Sequence, residues 1–259
     1  MSKRNILISL SLPFVLATIL ACQGGPLASV FATPTPTITP SPLPTPTPVF
    51  TPTPTPIPEG IVQTGQADGS ILFTDYDGGY QLTIPPGWEI VPITKEDLDD
   101  IMTALAESNP QIEQFRGILS QVDPDVFRAF LFDFNANAVH ETYITNVNII
   151  LDRSGLALGL PLDYLLDSTV TAFGAMGDRI SVLGSEEFDT ASGIPAGAIR
   201  VSQKLTTSTG EEVEVYQSVV LVKTEKALLT ITFSTIFSLR EVTEPEFNRI
   251  IDGLVLLEP

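Results

Sequence analysis

Four segments decide the fold: ISVLGSEEF (180–188), AGAIRVSQKL (196–205), EVEVYQSVVLV (212–222) and ALLTITFST (227–235). Polar and apolar residues alternate along the last three, the pattern of strands with one buried face. Centring the first turn on Ser208 sets Lys204 opposite Glu212 and Ser202 opposite Glu214. Centring the next on Glu225 sets Ser218 opposite Thr232. One face then carries Arg200, Ser202, Lys204, Glu212, Glu214, Tyr216, Ser218, Thr230, Thr232 and Ser234. The other carries Ile199, Val201, Leu205, Val213, Val215, Val219, Leu221, Leu229, Ile231 and Phe233. So clean a separation predicts an antiparallel meander, with Lys204 and Glu212 as a favourable cross-strand pair.

Working outward, Leu162–Met176 reads as a helix with Leu162, Leu165, Leu166, Thr169, Phe173 and Met176 inward. Downstream, Thr243-Glu244-Pro245-Glu246 reads as a capping box opening a last helix that buries Phe247, Ile250, Ile251 and Leu254. Upstream, Tyr143–Leu151 and Ala129–Phe134 read as strands, the latter from the alternation of Phe130, Phe132 and Phe134. Two amphipathic helices are predicted between Thr94 and Val122, with stripes Leu98, Ile101, Met102, Leu105 and Ile112, Phe115, Leu119, Val122; Asp123-Pro124 starts a further turn. Ile71–Tyr76 and Tyr80–Ile84 flank the hairpin signal Asp77-Gly78-Gly79, and Glu89–Ile93 is a short strand. Helices this few and this unevenly placed do not make repeated parallel βαβ units. The prediction is α+β: an antiparallel sheet with helices packed on it.

The first 58 residues belong to a different kind of chain. Lys3 and Arg4 precede an uncharged apolar run, Ile6–Leu20, too short for a ~30 Å hydrocarbon core but suited to a signal peptide. It ends in Ile19-Leu20-Ala21-Cys22, which resembles the bacterial lipobox. There the thiol takes a diacylglyceryl group, the preceding bond is cut, and the acyl chains hold the protein to the outer face of a membrane. Two other readings stay open: an uncleaved anchor, or cleavage after Ala32 with Val30 and Ala32 at the recognition positions. From Thr33 to Pro58 the chain is almost wholly Thr and Pro. Proline fixes φ and lacks an N–H, so this is an extended spacer with a reach of roughly 80 Å. The organisation expected is thus a signal peptide with lipobox (1–22), a Thr/Pro tether (23–58) and one globular domain (59–259).

That domain is strongly acidic. The chain has 31 acidic and 13 basic residues; two of the bases, Lys3 and Arg4, precede the domain, and every acid follows Pro58. Such a surface repels nucleic acid and excludes a DNA or RNA role. Cys22 is the sole cysteine, which excludes an intramolecular disulfide and a thiol nucleophile in the domain and leaves anchoring as its use.

Three segments together resemble the PsbP-like group, that of the photosystem II extrinsic protein and small bacterial lipoproteins: YQLTIPPGW (80–88), TNVNI (145–149) and the closing Phe247, Ile250, Ile251 and Leu254. The resemblance implies an α/β/α sandwich around a central antiparallel sheet, and a binding or assembly role with no catalytic motif and no cofactor.

Side chains with possible chemistry are few. His140, the only histidine, sits in a loop reading with no Gly-x-Ser-x-Gly to complete a triad and no second ligand for zinc. Asp75-Tyr76-Asp77-Gly78-Gly79 resembles a calcium loop but lacks the distal acid, so hairpin chemistry explains it. Glu96, Asp97, Asp99 and Asp100 suit the first turns of a helix. Trp88 reads as a core anchor. The possible ligand face comprises Tyr216, Ser218, Thr232, Asn146 and Asn148. The expected function is a membrane-anchored, extracytoplasmic lipoprotein with a non-catalytic binding or assembly domain and a protein partner in the envelope. The alternative is a ligand-binding accessory of an envelope transporter, using that face.

Overall fold

The computed structural model of the chain describes residues 59–92, 103, 125–135, 138–140, 143–206 and 212–257. The signal peptide, lipobox, tether and acidic cluster at 96–100 lie outside these, as do the helices read between Thr94 and Val122, except for Thr103, which is helical. In chain order the elements begin with β1 (Ile61–Gly65), β2 (Ile71–Asp75), β3 (Tyr80–Ile84), β4 (Trp88–Pro92) and β5 (Phe127–Asp133). There follow β6 (Val139–His140), β7 (Tyr143–Ile144), β8 (Asn146–Asp152), α1 (Gly155–Gly159) and α2 (Leu162–Gly174). The meander is β9 (Ile180–Asp189), β10 (Pro195–Thr206), β11 (Glu212–Lys223) and β12 (Leu228–Ile236), and α3 (Arg240–Asp252) and β13 (Val255–Leu256) close the chain.

The central sheet runs β4-β5-β8-β12-β11-β10-β9, and every pairing in it is antiparallel. The α+β class read from the sequence is therefore the fold. On one face α2 packs against Ile199, Val201, Val219 and Leu221 through Leu166 and Phe173. The approach is close: a Cβ on Gly197 would lie 2.9 Å from Leu166 Cδ1. The other face meets α3 and a second, smaller sheet, β1-β2-β3-β13. Phe73, Leu82 and Ile84 of that sheet and Phe247, Ile250 and Ile251 of α3 pack there on Leu131, Val147, Ile149, Ile231 and Phe233. Phe233 and Phe247 stack with ring centroids 4.8 Å apart.

Register departs from the sequence reading in two ways. In the β10–β11 hairpin Lys204 opposes Glu214, not Glu212. This shift of two residues leaves every side chain on its predicted face. In the β11–β12 hairpin Ser218 opposes Phe233, and Thr232 opposes Val219. That shift of one residue turns the whole of β12 over. The cause is the turn. Thr224 N bonds Ala227 O at 2.9 Å, and Thr224 Oγ1 accepts from the N–H of Lys226 and Ala227. The loop is thus centred between Glu225 and Lys226 rather than on Glu225. Leu229, Ile231 and Phe233 face α3, while Thr230, Thr232 and Ser234 face the α2 side.

The last helix also starts earlier than predicted, at Arg240, because a 3-10 turn over Phe237–Leu239 runs straight into it. Thr243 does not cap it; its hydroxyl donates to Leu239 O within the helix. Pro245 stands inside the helix. It is tolerated because Pro245 and Glu241 both lie on the exposed side, where the unmatched carbonyl faces solvent.

The hairpin turn after β2 is the junction of the molecule. Arg128 occupies a bulge in β5 and is buried. Its Nε and Nη2 bond both oxygens of Asp75 at 2.7 and 3.0 Å, and Nη2 reaches Asp77 at 3.1 Å. The sequence that resembles a calcium loop is thus a guanidinium site. Asp77 Oδ1 accepts from Gly60 N, Tyr76 N donates to Gly60 O, and Leu257 N donates to Gly79 O. Both ends of the folded chain meet here.

Candidate functional site

The turned-over β12 divides the predicted ligand face. Asn146, Asn148 and Thr232 come together on the α2 side of the sheet, where Thr232 opposes Asn148 and Ser234 opposes Asn146. Gln217 extends the row from β11, opposite Ser234, and its Nε2 donates to Ser234 Oγ at 3.0 Å. Asn146 Nδ2 donates to Ile144 O at 2.9 Å and to the Tyr143 hydroxyl at 3.3 Å. Phe130 and Phe132 flank the row on β5, opposite Asn148 and Asn146, their rings stacked at 4.9 Å. Asn146, Thr232 and Ser234 are buried. Gln217 Oε1 is buried and has no hydrogen-bond partner among the described residues. Burial holds the Tyr143 hydroxyl above its ordinary pKa, so it stays protonated near neutrality. The row offers amides and hydroxyls, groups that hold a polar neutral partner by hydrogen bonds and do not exchange protons near pH 7.

Tyr216 and Ser218 belong to the opposite face, under the start of α3. The Tyr216 ring is buried against Phe233 and Phe237, both edge-on at 6.4 and 6.3 Å. Its hydroxyl donates to Glu244 Oε1 at 2.6 Å. Burial, then that carboxylate, raise its pKa well above the ordinary range. Arg200 lies between two acids, with Nη2 on Glu186 at 2.5 Å and Nε 3.5 Å from Glu244. The Arg240 guanidinium sits 4.8 Å from the Phe237 ring centroid and 5.9 Å from that of Tyr216. Ser202 donates to Glu214, and Ser218 is buried beside them. Arg200 is paired with two acids and Glu244 also holds the Tyr216 hydroxyl, so the cluster ties the sheet to α3.

Trp88 is buried in the core beneath the small sheet, as its reading as an anchor required. His140 lies in β6, paired with Tyr143. Among the described residues no three His, Cys, Asp or Glu side chains gather as a metal would need. Sequence reasoning missed Gln217, Ser234, Tyr143, Glu244 and Arg128. Arg128 had a signal: one charge within the apolar run Val126–Phe132 must find a partner when that strand is buried.

No family model matches the chain, and no curated protein matches it. Among solved structures it is similar to cyanobacterial PsbP from Synechocystis sp. PCC 6803, with 15% identity and a TM-score of 0.42 over 76% of this chain and 92% of that one. It is also similar to LpqN, involved in cell envelope biogenesis of Mycobacterium tuberculosis, with 10% identity and a TM-score of 0.41 over 76% and 91%. A third is the Ran-binding protein Mog1p of Saccharomyces cerevisiae, with 8% identity and a TM-score of 0.40 over 78% and 97%. The PsbP-like group, named above from residues 80–88 and 145–149, is thus represented among the structures this chain is similar to.

Proposed function

We propose that the chain is an exported protein held to the outer face of a membrane by lipid on Cys22, with a Thr/Pro tether presenting an acidic α+β domain that binds or assembles rather than catalyses. The observation that carries this reading is Cys22 itself. It is the sole cysteine, it closes an uncharged apolar run, and only spacer sequence separates it from the first strand at Ile61. The row on the α2 side agrees with binding, since it is built of neutral amides and hydroxyls. Membrane fractionation of Cys22→Ser tests the anchor. Release of the variant into the soluble fraction is expected; retention in the membrane rejects it.

A second reading, a ligand-binding accessory of an envelope transporter, is favoured by one atom, the unpartnered Gln217 Oε1 beside Asn146 and Ser234. A neutral ligand that donates to this oxygen would raise the melting temperature of the wild type and not of Gln217→Met. Equal shifts in both reject it.

A further inference from the structure

β9 ends the central sheet and is ten residues long, whereas the other sheet ends β1 and β4 have five and β13 has two. Of its ten residues only Ile180 is buried. Its inner edge is used by β10, and among the described residues no strand lies on its outer edge. A row of unpaired N–H and C=O groups of this length is a template for an added strand.

The side chains say what kind of strand. Arg200 opposes Gly184 and Val201 opposes Val182, so Leu183 is a bulge and the regular stretch is Gly184–Asp189. Within it Glu186 is already tied to Arg200. Glu187 and Asp189 are exposed, with no ion pair among the described residues, and being two residues apart they lie on one side of the sheet. A second copy of the chain is disfavoured, because self-pairing of this stretch would crowd acids against acids. We propose that β9 takes up an extended basic segment of an envelope protein as an eighth strand, over Gly184–Asp189. Its Lys or Arg residues at alternate positions meet Glu187 and Asp189. This rests on the binding reading above and names the partner's chemistry.

The test uses the full chain in detergent, hydrogen exchange read by mass spectrometry, and two synthetic octapeptides. One carries Lys at alternate positions, and the other has Glu in their place. The Lys peptide should slow exchange over residues 184–189, an effect that fades at 1 M salt, where the Debye length is about 3 Å. In the double variant Glu187→Lys/Asp189→Lys the Lys peptide should bind roughly threefold or more weakly and the Glu peptide should gain. That reversal cannot come from misfolding. No protection at millimolar peptide, equal protection by both peptides, or protection confined to other strands overturns the proposal. Protection that grows with protein concentration alone makes a second copy the occupant and overturns it too. Cys22→Ser fractionation does not involve β9, so loss of the anchor reading and loss of the strand reading are separate results.

Discussion

At Arg128 one side chain joins two sheets. Its guanidinium and Asp75 are both buried, and breaking a buried pair from one side leaves the other charge unmatched. Arg128→Met is expected to cost about 3 kcal/mol or more, read from urea denaturation, and adding Asp75→Asn should recover part of it. Asp77 offers a pH test at the same turn. The N–H of Gly60 is the main cause holding its carboxyl below the ordinary 3.8, with Arg128 adding to the effect. A carboxyl with a depressed folded pKa lends stability above its unfolded value and loses it as pH falls through the folded one. Below about pH 4 the wild type should therefore lose stability faster than Asp77→Asn. Asp133 has the opposite sign. Burial raises its pKa despite the bonds from Asn135, so its charge costs stability at neutral pH. The stability of Asp133→Asn relative to wild type should be most favourable at pH 7 and decline as pH drops through the acid range. A pH-independent difference would place that carboxyl in water.

At the scale of elements, the test is which face β12 turns inward. Phe233 is buried and stacked on Phe247, so Phe233→Ala should cost roughly 3 to 5 kcal/mol. Thr232 is buried and its hydroxyl makes no side-chain hydrogen bond among the described residues, so Thr232→Val should change stability by less than about 1 kcal/mol. The same denaturation series measures both, and the reverse order would restore the register read from sequence. The reason that reading slipped is physical. Strand identity lives in period-two alternation, and β10 to β12 carry it plainly. Which residues oppose each other is set by the turn, and moving its centre from Glu225 to the bond between Glu225 and Lys226 reverses every side chain of the next strand. The candidate site inherited this error. Asn146, Asn148 and Thr232 lie on one face as read, but Tyr216 and Ser218 were joined to Thr232 by an assumed turn, and the structure parts them. Gln217 escaped notice because it is the one polar residue in an odd position between Val215 and Val219. The start of α3 escaped because Thr243-Glu244-Pro245-Glu246 satisfies the rules of a helix start while packed inside one.

For the whole molecule, contacts rather than composition set the boundary between the domain and the tether proposed above. Composition changes at Glu59, the first acid, yet the first bonds to the fold are those of Gly60 with Asp77 and Tyr76. β1 then follows, paired with β2 along its full length but exposed except for Ile61 and the residues it covers. A chain lacking residues 23–58 loses none of these contacts, and its melting temperature should match that of the parent. Removal of residues 23–65 instead strips β1, frees Asp77 from its amide donor and opens the edge of β2 beside buried Phe73. The lost burial and hydrogen bonds amount to about 2 kcal/mol, or roughly 4–8 °C for a domain near 200 residues. Because Arg128 still holds Asp75, the loss should be confined to the small sheet. Hydrogen exchange should quicken over β2 and β3 while the amides of β11 and β12 keep their protection. Loss of protection across both sheets together would make β1 part of the cooperative core and move the end of the tether back to Pro58.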